Sequence, residues 1–380
     1  MKFVIFADKA YNYIRPVADG LMKMLEASGQ ECHIYYHGDY WLQGIPPFKI
    51  LLGDIYRFFL NLKTGRFDLY IYRFWPVFTF MNRKRRMQLQ ECDCIIVVQN
   101  CPSAFYNSFK RVESLRKYNK PVVNYDLHYL PNQGWYKKIK EQDPNNWGLE
   151  RYDWYLPASI VTEYALPTAI PKIYSTIGFD IRKNSLFPEQ KEFTALIDFA
   201  RPGYEKERAI QIQALKETNT PYIELKGRYT TDDIRKIYRQ ANIYFFSCRE
   251  SFGLPIIELQ LCGCCIFTAF TKWAPAHFLN KNIYDAGNGT LGSNFHVYNN
   301  DLNLLKEQIQ KLKKEYKAET VIENFKKEYP FYYSCNEAEL SDFLQKLENK
   351  EIHAHSHLAY KEYNKHINIE DDVYLYNETK

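Results

Sequence analysis

The sequence lacks several features that would each define a class of protein. No window approaches the roughly 20 uncharged apolar residues that a membrane-spanning helix needs. The apolar run in the opening MKFVIFADKAYN is too short for a secretory signal, and no small-residue cleavage site follows it. Internal repeats of solenoid length are also absent. These absences predict a cytoplasmic globular protein.

The cysteines do not form a recognisable framework. There are nine of them, an odd number, and their spacing is irregular, so disulfide pairing is not expected. The two tight groups, Cys92/Cys94 and Cys262/Cys264/Cys265, lie in or beside apolar stretches without a partner pair at zinc-finger spacing. We predict buried free thiols and no bound metal.

Short apolar runs alternate with helical patterns along most of the chain. Such runs are typical of buried strands, and their alternation with helices predicts an α/β fold with parallel sheets. At 380 residues the chain is long enough for two domains. The runs are FVIFA (3–7), HIYYH (33–37), CIIVVQ (94–99), PVVNY (121–125), TALIDFA (194–200), PYIELKG (221–227), NIYFFSC (242–248) and CCIFTAF (264–270).

The segment 131–190 interrupts this alternation. It is rich in proline, asparagine and aromatic residues, and a new strand and helix pattern begins at Phe193. We therefore predict an N-terminal domain at 1–180, a C-terminal domain at 181–350 and a polar tail at 351–380. In that tail, HAHSH (353–357) would place its histidines on one face as a strand, which allows a metal site, although a solvated tail is the simpler interpretation.

The stretch RESFGLPIIELQLCGCC (249–265) predicts a loop that leaves a buried strand and enters a helix. Pro255 fits the first helical turn, where a missing N–H costs nothing. Glu250 then lies at the carboxyl end of a parallel strand, where open α/β sheets bind ligands. Gly253 allows close approach of a ligand to the backbone. The free N–H groups of the first turn favour an anion such as a diphosphate.

Two acids beside an anion site make sense if they bind neutral hydroxyl groups. Glu250 and Glu258 stand eight positions apart, and a carboxylate can accept two hydroxyl hydrogen bonds from a ribose diol. The diphosphate charge then requires cations from another loop. LIDFARPGYEKER supplies Arg201 and Lys206 directly after a predicted strand.

The stretch FFSCRESFGLPIIELQLCGCCIFT (245–268) resembles the nucleotide-sugar motif of retaining glycosyltransferases of family 4, which have the GT-B fold. Glu250, Phe252–Gly253, Leu254–Pro255, Glu258 and Cys262–Gly263 match that motif. The Arg201/Lys206 pair is similar to the family's basic pair. Residues 226–247 resemble the family's block between that pair and the nucleotide-sugar motif. The resemblance is strong over about 193–270 and weak elsewhere, and it implies two Rossmann-like domains that face each other across a cleft.

The resemblance also implies roles for individual residues. Glu250 would contact the donor sugar, Glu258 would bind ribose, and Arg201 and Lys206 would neutralise the departing diphosphate. Backbone groups would bind the sugar and diphosphate at Ser251, Phe252, Gly253 and Leu254. The base pocket would be lined by Gly227, Arg228 and Tyr229.

The N-terminal half departs from the family pattern. Many members carry a Gly-Gly pair after the first strand, whereas this loop reads ADKAYNYIRP, so Arg15 and the backbone near Tyr13 would have to substitute. PVVNYDLHYL (121–130) resembles the family's strand that ends in a histidine loop. His128 would then touch the donor sugar or the reacting hydroxyl. A histidine that only packs under a loop is an equal alternative, and Asp126 is the next candidate.

The implied activity is transfer of a sugar, with retention, from a nucleotide diphosphate sugar to a glycan or lipid-linked acceptor in cell-surface polysaccharide synthesis. No Asp-x-Asp pair follows a strand, which fits a metal-independent enzyme without a cofactor beyond its co-substrate. A nucleotide-sugar 2-epimerase is an alternative, as is a non-catalytic subunit that binds a sugar nucleotide.

Basic and aromatic residues are concentrated in 48–86. Nine Lys or Arg residues lie between Lys49 and Arg86, and only Asp54 and Asp68 oppose them. A basic surface with interleaved aromatic residues can lie on an anionic membrane, as a peripheral protein at the inner face does. A helix pair with a solvated basic edge explains the same composition, and a nucleic-acid site is the weakest interpretation.

Overall fold

The computed structural model describes residues 1–7, 14–36, 59, 81–98, 112, 115–128, 149–159, 172–181, 186–246, 253–271, 273, 275–279 and 289–366. Within these residues the chain forms two separate parallel sheets.

The first sheet is built from the N-terminal part of the chain. Its order is β2-β1-β3-β4-β5, and all neighbouring strands pair in parallel. The residues of CIIVV in β3 are all buried, as expected for a strand covered on both faces. Helix α1 (Ile14–Ala27) buries an apolar stripe at three- and four-residue spacing, and α2 (Met81–Glu91) precedes β3. The strands are β1 (Lys2–Ala7), β2 (Glu31–Tyr36), β3 (Cys94–Val98), β4 (Val122–His128) and β5 (Trp154–Ser159).

The second sheet repeats this plan. Its order is β10-β9-β8-β6-β7, again with parallel pairs throughout. The strands are β6 (Ala195–Ile197), β7 (Tyr222–Glu224), β8 (Ile243–Phe245), β9 (Cys265–Thr268) and β10 (Phe295–Val297). The helices between and after them are α3 (Glu205–Glu217), α4 (Thr231–Tyr238), α5 (Leu254–Leu261) and α6 (Leu302–Glu315).

Both sheets have the same topology. In each, the first strand lies between the second and the third, so the order of connections reverses beside the first strand. This doubly wound order places a ligand-binding crevice at the carboxyl ends of the two strands where the reversal occurs. The predicted fold, α/β with two Rossmann-like domains in a GT-B arrangement, is confirmed.

Of the three C-terminal helices, the first packs on α5 of the second domain and the last two return to the first domain. They are α7 (Ala318–Glu328), α8 (Pro330–Tyr333) and α9 (Glu337–Glu348). The Tyr332 hydroxyl donates to Ser159 Oγ at 2.9 Å, and Phe343 is buried in the first domain's core. The chain therefore crosses between the domains more than once, and the limits at 180 and 350 stay a prediction.

Residues 351–366, here named the C-terminal strap, also pack against the first domain. His357 is buried, and its Nδ1 lies 2.6 Å from Oδ1 of the fully buried Asp153. The interpretation of HAHSH as a solvated tail is therefore wrong at His357, because a buried carboxylate holds that histidine. Across the described residues no group of three or more His, Cys, Asp or Glu side chains could hold a metal ion.

The five cysteines of the two tight groups are buried and free, as predicted. Burial raises the pKa of the Cys92 and Cys262 thiols to about 12, so these groups stay protonated and unreactive. Among the helices that the structure describes, none is both long and apolar enough to cross a bilayer.

Candidate functional site

The carboxyl ends of β6 and β8 mark the reversal point of the second sheet. These strands are direct neighbours, with Ile197 opposite Phe245. The loop after β6 leads into α3, which places Lys206 in the first turn of that helix and Arg201 in the loop before it. Both side chains are exposed. The loop after β8 includes Glu250, Ser251 and Phe252, which lie outside the described residues.

Helix α5 begins as the sequence predicts. Gly253 is its N-cap with φ of 68°, a left-handed conformation that favours glycine, and Pro255 occupies the first turn. The Ile256 N–H donates to Gly253 O at 3.0 Å, which closes that turn. The amino end of α5 therefore follows directly from the carboxyl edge of the sheet, where its N–H groups can meet an anion.

A cavity of about 850 Å³ lies between α1 of the first domain and α4 and α5 of the second. This volume falls within the range of small-molecule sites. Of the residues predicted to bind donor, Tyr229, Leu254 and Glu258 line it. Arg15 also lines it, at the amino end of α1 where the glycine pair is missing.

Glu258 is held in place by Arg235, which lies on α4. Arg235 Nε and Nη2 both donate to Glu258 Oε1, at 3.1 and 2.5 Å. The two side chains are only 10% and 15% exposed, so the pair is largely shielded from water. No residue that the structure describes donates a hydrogen bond to Oε2. That oxygen is therefore available to a hydroxyl group of a ligand.

The position of Arg235 follows from the way α4 starts. The Thr230 side chain caps the helix by accepting from Asp233 N at 3.2 Å, and Asp232 and Asp233 favour the positive amino end. Helix α4 packs on α5, with Arg235 and Tyr238 as its buried residues. The cap thus fixes α4, and the Arg235 side chain of α4 holds the Glu258 carboxylate.

Tyr229 forms part of the cavity wall just before α4. Its ring packs at a tilt against Phe199, with centroids 6.0 Å apart, and its hydroxyl accepts from Lys226 N at 3.2 Å. Gly227 makes the preceding turn with φ of 78°, and Gly227 and Arg228 are exposed. The wall at Tyr229 is therefore an aromatic surface that is fixed before a ligand binds.

Tyr238 completes the inner wall. Burial raises the pKa of its phenol well above the ordinary value, and the charges of Glu258 and then Asp198 raise it further. The phenol therefore stays neutral and keeps its proton for hydrogen bonding. Across the cavity, α1 contributes the cations Arg15 and Lys23.

The other predicted residues do not all meet in this cavity. Arg201, Lys206, Gly227 and Arg228 are not among its lining residues. His128 is the last residue of β4 and pairs in register with Ser159 of β5. Its position at a strand end agrees with the sequence pattern, while its role stays a prediction.

Sequence reasoning missed Arg235 and Tyr238. Both lie within KGRYTTDDIRKIYRQ, and their three-residue spacing places them on one side of a helix. That spacing was the available signal. It could not show that the partner of Arg235 lies 23 positions later.

Comparisons with known proteins add little beyond the fold. The sequence matches no protein-family model and no curated protein. Among solved structures, Anabaena Alr3699/HepE in complex with UDP and glucose has 12% identity and a TM-score of 0.45, covering 91% of this chain and 99% of that one. The Neisseria meningitidis UDP-GlcNAc 2-epimerase bound to UDP-GlcNAc has 11% identity and a TM-score of 0.49, covering 85% and 94%.

The trehalose-6-phosphate synthase OtsA has 11% identity and a TM-score of 0.47, covering 92% of this chain and 99% of that one. At such values these likenesses carry no argument about activity. The class of protein is defined by the two doubly wound sheets themselves.

Proposed function

We propose that the chain is a retaining glycosyltransferase of the family 4 type, which binds a nucleotide diphosphate sugar in the cleft. The observation that carries the proposal is Glu258. It lies on the first helix after the reversal point, it lines a cavity of suitable size, and Arg235 occupies only one of its oxygens. A carboxylate so placed suits a ribose diol.

The remaining donor contacts would form at the carboxyl edge of the second sheet. The diphosphate would lie near the amino end of α5, with Arg201 and Lys206 as its counter-charges. These cations would stabilise the negative charge that develops as the nucleotide leaves. Glu250 and the backbone of 251–254 would hold the sugar.

Transfer with retention requires attack on the face from which the leaving group departs. The acceptor hydroxyl oxygen forms a bond to the anomeric carbon while the bond from that carbon to the diphosphate oxygen breaks. A diphosphate oxygen takes the acceptor proton on the same face, so no separate base is required. His128 is the candidate for contact with the sugar or the reacting hydroxyl. This bond exchange and proton transfer do not require a metal ion.

The test has two stages. Thermal-shift screening with UDP-, GDP- and ADP-sugars identifies the donor, since a bound ligand stabilises the fold by mass action. The stabilising donor is then incubated with and without a panel of oligosaccharide and lipid-linked acceptors, and products are followed by NMR. We expect free nucleotide diphosphate and an unchanged anomeric configuration only when an acceptor is present.

Two other outcomes would contradict the proposal. Interconversion of the sugar without an acceptor would identify a 2-epimerase. Tight donor binding without turnover on any acceptor would identify a non-catalytic sugar-nucleotide-binding subunit.

We also propose that the acceptor is glycan or lipid-linked and that 48–86 contacts the inner face of an anionic membrane. Support comes from the charge density of Arg83–Arg86, at the start of α2, and from the exposed Arg86. Each cation near such a surface contributes about 1 kcal/mol. Most of 48–86 lies outside the described residues.

Co-sedimentation with phosphatidylglycerol vesicles at low and high salt tests this contact. The wild type should sediment at low salt only, and replacing Arg83, Lys84, Arg85 and Arg86 by Glu should abolish binding. A control with Lys311, Lys313, Lys314 and Lys317 replaced by Glu makes the same charge change elsewhere. Wild-type protein that stays in the supernatant at low salt would contradict the membrane proposal.

A further inference from the structure

Tyr238 lines the cavity, and the proposed chemistry gives it no role. It lies on α4, where it and Arg235 are the buried residues. Only 2% of the residue is exposed, because its ring belongs to the hydrophobic core of the second domain. A packed ring fixes the position of the phenol oxygen, so that only the proton of the hydroxyl group can turn.

The Tyr238 hydroxyl has no hydrogen-bond partner among the residues that the structure describes. Two buried tyrosines away from the cavity show the usual arrangement. The Tyr125 hydroxyl donates to Gly178 O at 3.0 Å, and the Tyr332 hydroxyl donates to Ser159 Oγ at 2.9 Å. An unpaired buried hydroxyl is unfavourable. Since Tyr238 alone of these three tyrosines lines the cavity, a ligand is the natural partner for its proton.

The phenol of Tyr238 lies close to the Glu258 carboxylate. Burial raises the pKa of the phenol well above its ordinary value, and among the surrounding charges that of Glu258 raises this pKa most. The helices that carry the two residues, α4 and α5, pack on each other. Arg235 occupies Glu258 Oε1, while Oε2 accepts no hydrogen bond from the described residues. The cavity therefore presents an acceptor, Glu258 Oε2, beside a neutral donor, the Tyr238 hydroxyl.

A ribose diol requires both kinds of group, because each of its hydroxyls donates one hydrogen bond and also accepts. A carboxylate can only accept, so Glu258 alone leaves the lone pairs of the diol oxygens without a donor. We propose that the Tyr238 hydroxyl donates to a ribose hydroxyl that donates in turn to Glu258, and that the two residues together select ribonucleotide donors over deoxyribonucleotide donors; this inference rests on the proposed function.

A deoxynucleotide fits this pair of groups less well. Removal of one ribose hydroxyl leaves Tyr238 or Glu258 without its partner in a site that is shielded from water. Such an unpaired polar group lowers affinity. Thymidine diphosphate sugars, which carry deoxyribose, should therefore be poor donors, whereas sugars linked to UDP, GDP or ADP all satisfy this requirement.

The test is Tyr238→Phe, which keeps the ring and removes only the hydroxyl. Calorimetric titration compares UDP, GDP and ADP, each with its 2′-deoxy and 3′-deoxy forms. The wild type should bind its preferred ribonucleotide about tenfold or more tightly than the 2′-deoxy form. Tyr238→Phe should bind that ribonucleotide about three- to tenfold more weakly, as expected for loss of one uncharged hydrogen bond. For one of the two deoxy forms it should lose nothing, because the contact is already missing there.

Tyr244→Phe is the matched control, since it makes the same change at a buried tyrosine of the same core that does not line the cavity. It should leave every nucleotide affinity unchanged. Without nucleotide, Tyr238→Phe should melt no lower than the wild type, because its hydroxyl has no partner among the described residues.

Three results would overturn the inference. They are equal binding of the ribonucleotide and its 2′-deoxy form by the wild type, unchanged ribonucleotide affinity in Tyr238→Phe, and a variant that melts lower and loses the same factor in affinity for all three forms. Nucleotide-sugar turnover together with any of these results would leave the proposed function standing. Failure to bind any nucleotide or nucleotide sugar would remove both.

Discussion

Asp153 in the first domain and Glu258 in the second are both shielded carboxylates that face an arginine. Asp153 is fully buried, and both of its oxygens are occupied: Oδ1 by the His357 N–H and ring, and Oδ2 by the Val122 N–H, with Arg116 at 3.5 Å. Glu258 receives both of its hydrogen bonds from Arg235 at a single oxygen.

This difference separates a structural carboxylate from a binding one. Where the protein fills every acceptor position, the group holds chain segments together, as Asp153 holds the C-terminal strap. Glu258 lines a cavity, and its second oxygen accepts no hydrogen bond from the described residues. Such a carboxylate is held in place but can still accept hydrogen bonds from a ligand. Asp198 fits neither description, because its buried Oδ2 accepts no hydrogen bond from the described chain and the residue does not line the cavity.

The largest expected effect concerns Asp153. Asp153→Ala leaves Arg116 and His357 without their shared acceptor, so the free energy of unfolding should fall by about 3–5 kcal/mol. Urea unfolding measures this, and nucleotide affinity of the folded fraction should not change. Asp342→Ala, which removes a half-exposed pair with Lys346 on α9, should cost less than about 1 kcal/mol. Equal losses of unfolding free energy in the two variants would show that burial does not make the Asp153 contacts more stabilising than those of Asp342.

The cations of the cleft should behave in the opposite way. Arg201→Ala and Lys206→Ala should each lower kcat by roughly ten- to a thousandfold, since each removes one stabiliser of developing charge. Stability should be retained, because both side chains are exposed. Lys216→Ala, an exposed cation at the other end of α3, is the control. Full turnover in either test variant would remove that residue from the diphosphate site.

Two histidines also differ in the partners that surround them. His357 has a carboxylate partner, whereas His296 stacks on Phe267 with ring centroids 4.7 Å apart. Burial, helped by the positive charge of Lys311, lowers the pKa of His296 from 6.5 to about 4. The unfolded chain therefore binds more protons between these values, so stability is complete above pH 6.5 and falls as pH drops toward 4.

Unfolding free energies at pH 7, 5.5 and 4.5 test this account of His296. The loss due to this one group should approach about 3 kcal/mol at the acid end. His296→Phe should flatten the pH profile by that amount. Parallel profiles for the wild type and the variant would mean that His296 does not titrate as its surroundings imply.

The smallest effect on donor binding is expected at Arg235. Arg235→Gln leaves Glu258 charged but no longer oriented, so donor affinity should fall by about tenfold, which corresponds to about 1.4 kcal/mol. Combined with Glu258→Ala, it should add almost nothing, because the arginine acts through the carboxylate. Additive losses in calorimetry would assign Arg235 a contact of its own.

Local features of the fold were predictable from the sequence. CIIVV predicts a buried strand, and Pro255 after Gly253 predicts the start of α5, because both depend on neighbouring residues alone. The strand in TALIDFA is shorter than predicted, since β6 ends at Ile197 and leaves Asp198 at the edge. Strand lengths depend on which residues find a partner in the next strand.

Long-range pairings were not predictable. Nothing in HAHSH indicates that His357 meets Asp153, which lies 204 positions earlier in the chain. The return of α8 to β5 likewise depends on tertiary packing, which periodicity does not encode. For the same reason the sequence suggested Glu258 as a binding residue but not Arg235, which holds it.

Calorimetric titration of the wild type and Glu258→Ala with the stabilising nucleotide sugar tests the central claim most directly. The wild type should bind one donor molecule per chain. Glu258→Ala should bind it about 10- to 100-fold more weakly, as expected for loss of hydrogen bonds to a charged group, while turnover at saturating donor changes less. Donor affinity that is equal in the two proteins would contradict the assignment of Glu258 to the nucleotide and, with it, the proposed site.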